Sequence, residues 1–341
     1  MCEWRECKLG DVVVLNYGKG LPEHKRIEGN VPVYSSAGLT GYHNKPLVNS
    51  EGLIIGRKGT VGKIYYSRNP FYCIDTAYYI LPDNEKYSLD FIYYLLKTIG
   101  LEELNEDSAV PGLNRNTAYS QNILLPPLPE QRAIASVLSS LDDKIDLLHR
   151  QNQTLEAMAE TLFRQGFVEE ADEGWEEGVL NDVISVKGGT TPSTKKSEYW
   201  DGDIYWTSPR DLSNHTSVFI FDTGRKITER GLAQIGSGLL PIGTVLLSSR
   251  APIGYLAITE IPLAINQGYI AIVCDKMVSN YFIYLWCKAN MDGIKNQGNG
   301  SVFQEIAKSV FKEISITIPL LLSLDDFDKT VNPILVVSLI N

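Results

Sequence analysis

The sequence has no C-x-x-C pair, and its five cysteines (Cys2, Cys7, Cys73, Cys274, Cys287) are odd in number and scattered. That pattern supports neither a zinc ribbon nor a disulfide framework, and it fits a reducing, cytoplasmic setting. No apolar run approaches the roughly 20 residues of a membrane span. The polar start, MCEWRECKLG, has none of the character of a secretory leader. The four histidines, at 24, 43, 149 and 215, lack metal-ligand spacing. There is no G-x-S-x-G elbow. The glycine-rich loop and Asn-Pro-Pro-aromatic tetrapeptide of an amino-methyltransferase are also missing. Gly56 to Lys63 looks superficially like a phosphate loop, but its glycine spacing is one residue too long and Ile64 stands where Ser or Thr should hold Mg²⁺. Pro82-Asp83 with Glu85-Lys86 is too tightly spaced for a nuclease site and reads as a solvated turn. No convergent Asp/Glu/His set is legible, so the chain reads as non-catalytic and without a metal or cofactor of its own.

Basic excess is missing too. The formal net charge is −10, which taken whole argues against nucleic acid. The charge is unevenly placed, however. Between Glu130 and Glu177 twelve acidic residues face only Arg132, Lys144, Arg150 and Arg164, whereas Leu53 to Arg68 carries four basic residues and no acidic one. Phosphate contacts follow local patches, not totals.

What is present is a rod. In PEQRAIASVLSSLDDKIDLLHRQNQTLEAMAETLFRQ, Pro129 to Gln165, apolar residues recur at Ile134, Leu138, Leu141, Ile145, Leu148, Leu155 and Leu162. These steps of three and four form a heptad seam, with gaps at Asn152 and Ala159. Pro129 suits a first turn and Gly166 a stop. The predicted helix spans roughly 55 Å and needs a partner helix. Asn152 at a seam position is expected to fix register at some cost in stability.

The chain on either side repeats. Strands are expected around Val31-Pro32-Val33-Tyr34, Leu53-Ile54-Ile55 and Ile74 to Leu81, with Ser88 capping a helix over Phe91, Ile92, Leu95 and Leu96. Trp175 to Val183 echoes Trp4 to Val12, Gly188 to Pro192 echoes Gly18 to Pro22, and Ile204 to Ser208 echoes Val31 to Ser35. Val245 to Gly254 echoes Leu53 to Gly62, Phe282 to Leu285 echoes Phe91 to Tyr94, and Ile318-Pro319-Leu320 echoes Leu125-Pro126-Pro127. A repeat of this length means duplicated domains, the second longer.

The order domain, PPLPEQRAIASVLSSLDDKIDLL, domain, helix resembles the specificity subunits of type I restriction–modification systems. The proline-rich entry followed by EQ-x-I-x-x-x-L-x-x-x-D-x-x-I carries most of the likeness. The paired W…DV…GGTTP and GRKGTVG/SSRAPIG segments extend it from about residue 4 to 334. The resemblance implies an α/β (α+β) chain with two similar DNA target-recognition domains, 1–127 and 169–319. A coiled-coil-type spacer, 128–168, would separate them, and 320–341 would be the start of a second spacer helix. It implies partners: double-stranded DNA, methyltransferase subunits (two of them) and restriction/translocase subunits, in a bacterial or archaeal cytoplasm. S-adenosylmethionine, ATP and Mg²⁺ would belong to those subunits. Leu324, Phe327, Val331 and Ile334 restart the heptad before the sequence stops at Asn341. The family's second helix runs further, so a shortened form needing a second chain, or self-association through the spacer helices, is also expected.

The DNA-facing candidates follow from residue chemistry. Lys19, His24, Lys25 and Arg26 share one turn; Arg57, Lys58 and Thr60 sit on a glycine-rich loop that could approach a ligand closely. In the second copy the matching places hold Lys187, Thr190, Thr191, Lys195, Lys196, Arg210 and Arg250. Cations release counterions from phosphate, while Arg on guanine and Asn or Gln on adenine give specificity. Candidate base readers are Arg57, Asn114, Arg115, Trp206, Arg210, Arg250, Gln267 and Gln304. Tyr34, Tyr65, Tyr66, Tyr78 and Tyr79 read as sheet packing. Two rivals remain open: an enzyme on a duplicated domain, and a coiled-coil scaffold for two protein-binding modules.

Overall fold

The structure is a computed structural model that describes residues 4–104, 112–172, 174–300 and 304–340; Cys2 and Asn341 lie outside them. The chain divides into two compact units, Met1–Ile145 and Asp146–Asn341, with the boundary inside one helix.

That helix, Leu128–Arg164, is 37 residues long, as the heptad seam requires, with Pro129 in its first turn. It does not stop at Gly166. A wide π-type turn, Gln165–Glu169, carries the chain on, closed by the Glu170 N–H on the Gln165 carbonyl at 2.9 Å.

The two units are built alike, apart from one strand added in the second. In the first, an antiparallel ribbon joins Arg5–Lys8 to Asn122–Leu125. A four-stranded sheet runs Asn16–Tyr17, Ala77–Ile80, Gly52–Gly56, Ile64–Ser67, and a three-stranded sheet runs Gly38–His43, Val31–Ser35, Tyr72–Cys73. In the second, the ribbon joins Glu176–Val179 to Ser315–Ile318. The larger sheet runs Ser185–Gly188, Tyr269–Val273, Val245–Ser249, Ile253–Thr259, then one added strand, Phe219–Ile220. The smaller runs Arg225–Ile227, Trp200–Thr207, Leu263–Ile265, and in both units its last pairing is parallel. The added strand accounts for part of the extra length of the second copy.

Each core follows from its apolar runs. Leu53, Ile54 and Ile55 are fully buried, as are Val245, Leu246 and Leu247. Such continuous runs are what a strand covered on both faces needs. Ser88 caps the helix Leu89–Thr98, its hydroxyl accepting from the Phe91 N–H at 3.4 Å. Ser279 caps Asn280–Ala289 in the same way on Phe282. The tyrosines expected to pack do so: Tyr78 is buried, Tyr66 faces Tyr93 at 5.5 Å, and Phe71 is edge-on to Tyr34 and Tyr79.

In the first unit Ala135 is buried, and Ile134 packs on the core. Gln131 is 1% exposed with both ends of its amide used. Its Oε1 accepts from the Ser88 N–H at 3.0 Å, and its Nε2 donates to the Pro126 carbonyl at 2.8 Å. Glu130 accepts from the Trp4 indole at 3.0 Å. The Pro-Pro-Leu-Pro-Glu-Gln entry is thus a lock between helix start, ribbon and core.

In the second unit the helix meets Leu321–Ile340. Phe163 lies against Phe327 at 5.9 Å and Asn152 donates to the Ser338 carbonyl at 3.2 Å, so the two run antiparallel. The last four carbonyls of a helix lack intrahelical partners. Asn152 satisfies one of them, which is how a polar seam residue sets register. Leu324, Phe327, Val331 and Leu335 are buried. The seam gap at Ala159 is only apparent, because Ala159 is fully buried beside Phe163.

Candidate nucleic-acid interface

In the first unit the loop after Gly52–Gly56 is closed by Gly62 N–H on the Gly56 carbonyl at 2.8 Å. Two of its glycines serve the fold itself. A Cβ on Gly56 would strike the Thr60 carbonyl, and Gly62 (φ +72) lies hard against Leu101. Gly59 (φ +81) faces open space apart from Ser36 Oγ at 3.8 Å. The close approach expected for the whole loop is therefore available only around Lys58-Gly59-Thr60. Lys58 is exposed and Thr60 half-buried.

The loop is stitched to residues 112–115. Lys58 forms a bridge with Gly112, and the Leu113 N–H donates to the Arg57 carbonyl at 2.8 Å. This brings Arg57, Lys58, Asn114 and Arg115 together. Arg57 Nη1 donates to the Asp75 carbonyl at 3.2 Å, and its guanidinium carbon stands 5.0 Å from the Tyr17 ring. The Arg115 guanidinium stands 4.9 Å from the same ring. Tyr17 is 47% exposed and edge-on to Tyr78 at 5.1 Å. Burial, with the Tyr17 hydroxyl adding to it, pushes the Tyr78 phenol up to about 12, so it stays neutral and donates to the Leu113 carbonyl at 3.1 Å. Lys19, next but one to Tyr17, anchors its backbone N–H on the Cys73 carbonyl and is exposed. Lys25 is exposed on a short 3-10 turn, Glu23–Lys25.

Several candidates have structural employment. Arg26 is half-buried and donates from Nη1 to the Thr40 carbonyl, holding the Gly38–His43 strand. Asn114 caps the helix Arg115–Tyr119, its side chain accepting from the Asn116 N–H at 2.8 Å. Trp206 leaves the set of base readers. It is 5% exposed, stands edge-on to Trp200 at 5.1 Å and donates its indole N–H to the Thr190 carbonyl at 3.3 Å. A strand whose neighbours cover it buries an aromatic that alternation alone would leave outside.

In the second unit Ser248 Oγ donates to the Pro252 carbonyl and accepts from the Gly254 and Tyr255 N–H groups, tying down the loop that carries Arg250. Arg250 forms a backbone bridge with Glu305 and an ion pair at 3.6 Å, which brings it beside exposed Gln304. Thr191 Oγ1 donates to Gln267 Oε1 at 2.7 Å. Lys196 is pinned on Tyr199 at 3.1 Å. Lys187, Thr190, Lys195 and Arg210 are exposed.

The hydrogen bonds also fix which positions correspond. Arg57 N–H bonds the Thr76 carbonyl as Ser249 N–H bonds that of Gly268, and Leu113 bonds Arg57 as Ile306 bonds Ser249. Arg57 therefore corresponds to Ser249, and Lys58 to Arg250. Both loops carry an arginine, but Arg57 and Arg250 stand one position apart, as the echo of Leu53–Gly62 by Val245–Gly254 also has it. Tyr17, paired with Tyr78, corresponds to Gly188, paired with Ile270, so the echo of Gly18 to Pro22 is shifted by one and Gly18 matches Gly189, not Gly188. Arg115 opens one short helix as Lys308 opens the other, Lys308–Lys312. Sequence reading missed Tyr17 altogether. The available signal was an aromatic just before a glycine, where the second copy has a glycine.

Among the described residues no group of His, Cys, Asp and Glu could hold a metal, and no helix is long and apolar enough to cross a membrane. Asp83 pairs with Lys86 at 3.1 Å in a turn, and the lysine holds its carboxyl below the usual range.

Two like-built units and a long helix define the class by fold, a duplicated α/β chain with a helical spacer, and comparison with known proteins gives its family. The model of the type I restriction modification DNA specificity domain matches twice, over residues 1–157 and 172–329. The chain belongs to that family. Over 162 residues it is 41% identical to the type I restriction enzyme MjaIX specificity subunit of Methanocaldococcus jannaschii, covering 47% of this chain and 38% of that one. It is 21% identical to the type I restriction enzyme HindI specificity subunit of Haemophilus influenzae, covering 94% and 90%. The chain thus spans about two fifths of the length of the MjaIX relative. The crystal structure of a type I restriction-modification S subunit from M. genitalium shares the fold, with a TM-score of 0.65 at 17% identity over 99% of this chain and 94% of that one.

Proposed function

We propose that the chain is a non-catalytic reader of DNA sequence, each domain taking one word of a bipartite site while partner subunits carry out methylation and cleavage. The observation that carries this is the double family match on two units that share their strand order apart from one added edge strand, each with cationic side chains on the loop after its buried central strand. The helix Leu128–Arg164 sets the interval between the words. Two methyltransferase subunits, which bring S-adenosylmethionine, dock along it, and ATP- and Mg²⁺-dependent restriction subunits join them. The test is a footprint of the chain reconstituted with its methyltransferase subunits. Two protected tracts flanking an unprotected interval support the reading; one continuous tract contradicts it.

A second reading concerns assembly. Leu141 and Ile145 on the seam are 55% and 50% exposed. A groove of about 780 Å³ runs along Ile134 and Leu138, walled by Trp4, Phe91, Tyr94 and Leu95. Counted from the ribbon strands, Phe327 stands where Ile134 does. In the second unit Phe163 and Phe167 fill the space over Phe327. A helix from a further chain would cover the first-unit seam in the same manner. The mass of the assembled complex, with one or two copies of this chain, decides between the readings.

A further inference from the structure

Two guanidiniums share the ring of Tyr17, at 5.0 Å for Arg57 and 4.9 Å for Arg115, and also lie within 5.7 Å of Tyr78 and 6.0 Å of Tyr119 respectively. A guanidinium held on an aromatic ring gains cation–π attraction, loses side-chain freedom and keeps its N–H edge available. Arg57 spends one N–H on the Asp75 carbonyl, which fixes its direction further. The corresponding positions in the second unit are Gly188, Ser249 and Lys308. There the lysine side chain lies over the glycine, and a Cβ on Gly188 would come 2.8 Å from its Cδ. The aromatic platform and its paired arginines thus belong to one unit.

Resting on the reading of the chain as a two-word reader, we propose that Tyr17 is a specificity-positioning residue of the first domain. It holds the guanidiniums of Arg57 and Arg115, so that this domain selects guanine, through O6 and N7, in its word of the DNA site. The second domain, with serine and lysine at those places and Arg250 engaged by Glu305, reads its word by other contacts. The two words are therefore unlike in a way written into three positions.

The test is selection from randomised duplex DNA by the full chain with its methyltransferase subunits, comparing wild type, Tyr17→Phe, Tyr17→Leu and Arg57→Lys. Tyr17→Phe keeps the ring and is expected to keep the selected words. Tyr17→Leu is expected to lose tenfold or more of the preference for guanine in one word and leave the other unchanged. Arg57→Lys keeps the charge but not the planar fork, so it loses the same preference while the dependence of binding on salt holds. Unfolding midpoints show whether the variants fold. The proposal is overturned if the wild type selects two words with no guanine in either, if Tyr17→Leu folds and selects as wild type does, or if Tyr17→Phe fails alongside it. A single continuous word in the wild type would instead overturn the two-reader reading on which the proposal rests.

Discussion

Replacing Gln131 by alanine should unlock the first unit from its helix. At 1% exposure no water reaches the amide, so removing it strands the Ser88 N–H and the Pro126 carbonyl. An unsatisfied buried donor or acceptor costs about 1–3 kcal/mol, so the pair costs roughly 2–6 kcal/mol. Ser88 also caps Leu89–Thr98, so the loss falls on that helix start. With a urea dependence of about 1–3 kcal/mol/M, the first unit's unfolding midpoint should fall by roughly 0.7 M or more. The assay is urea unfolding followed by hydrogen exchange of the Leu89–Thr98 amides, with those of Asn280–Ala289 as the internal control. Gln131→Glu keeps an acceptor for Ser88 but sets an oxygen against the Pro126 carbonyl, so it should fail as badly at neutral pH. At the matching place of the second unit stands Leu324, 3% exposed, so that unit's protection should not move. A midpoint shift below about 0.3 M, or equal loss in both units, would refute the reasoning.

Other outcomes follow from the second unit and the seam. Lys288 sits between Glu156 at 2.6 Å and Glu160 at 2.5 Å, and Glu156 also takes the Tyr284 hydroxyl. Lys288→Met should cost about 1–3 kcal/mol by thermal unfolding, less than a fully buried pair because all three charges are partly exposed. Burial raises the pKa of Asp328, whose carboxylate accepts from Ser279 at 2.6 Å. Its protonated form therefore favours the folded state, and stability falls as pH rises through its range. Asp328→Asn should be the more stable protein at pH 7, with the gap closing towards about pH 4; the opposite sign in urea midpoints would count against the assignment. Leu141→Asp and Ile145→Asp should leave unfolding within about 0.5 kcal/mol, since both are half exposed, yet reduce the mass of the assembled complex.

The rod and the duplication were legible because both are periodic. A heptad seam and a recurring strand–loop–helix order each survive single substitutions. The caps were legible where a serine precedes an apolar helix, at Ser88. The lock at Gln131 was not, because a glutamine in a motif says nothing of which backbone groups it meets across the fold. The site was legible as a neighbourhood but not as a geometry. Arg57 and Arg115 stood out by type, whereas the place of Tyr17 between them depends on strand register. Trp206 was misjudged because its strand is covered by neighbours remote in sequence.

The claim that the helix sets the interval between two words is tested by lengthening it. One heptad inserted between Ile145 and Asp146, where the units divide, leaves the packing within each unit in place. Seven residues add about 10.5 Å of helix, or about three base-pair steps. In selection from randomised DNA the account expects both words unchanged and the interval longer by about three base pairs; an unchanged interval, or altered words, would contradict it.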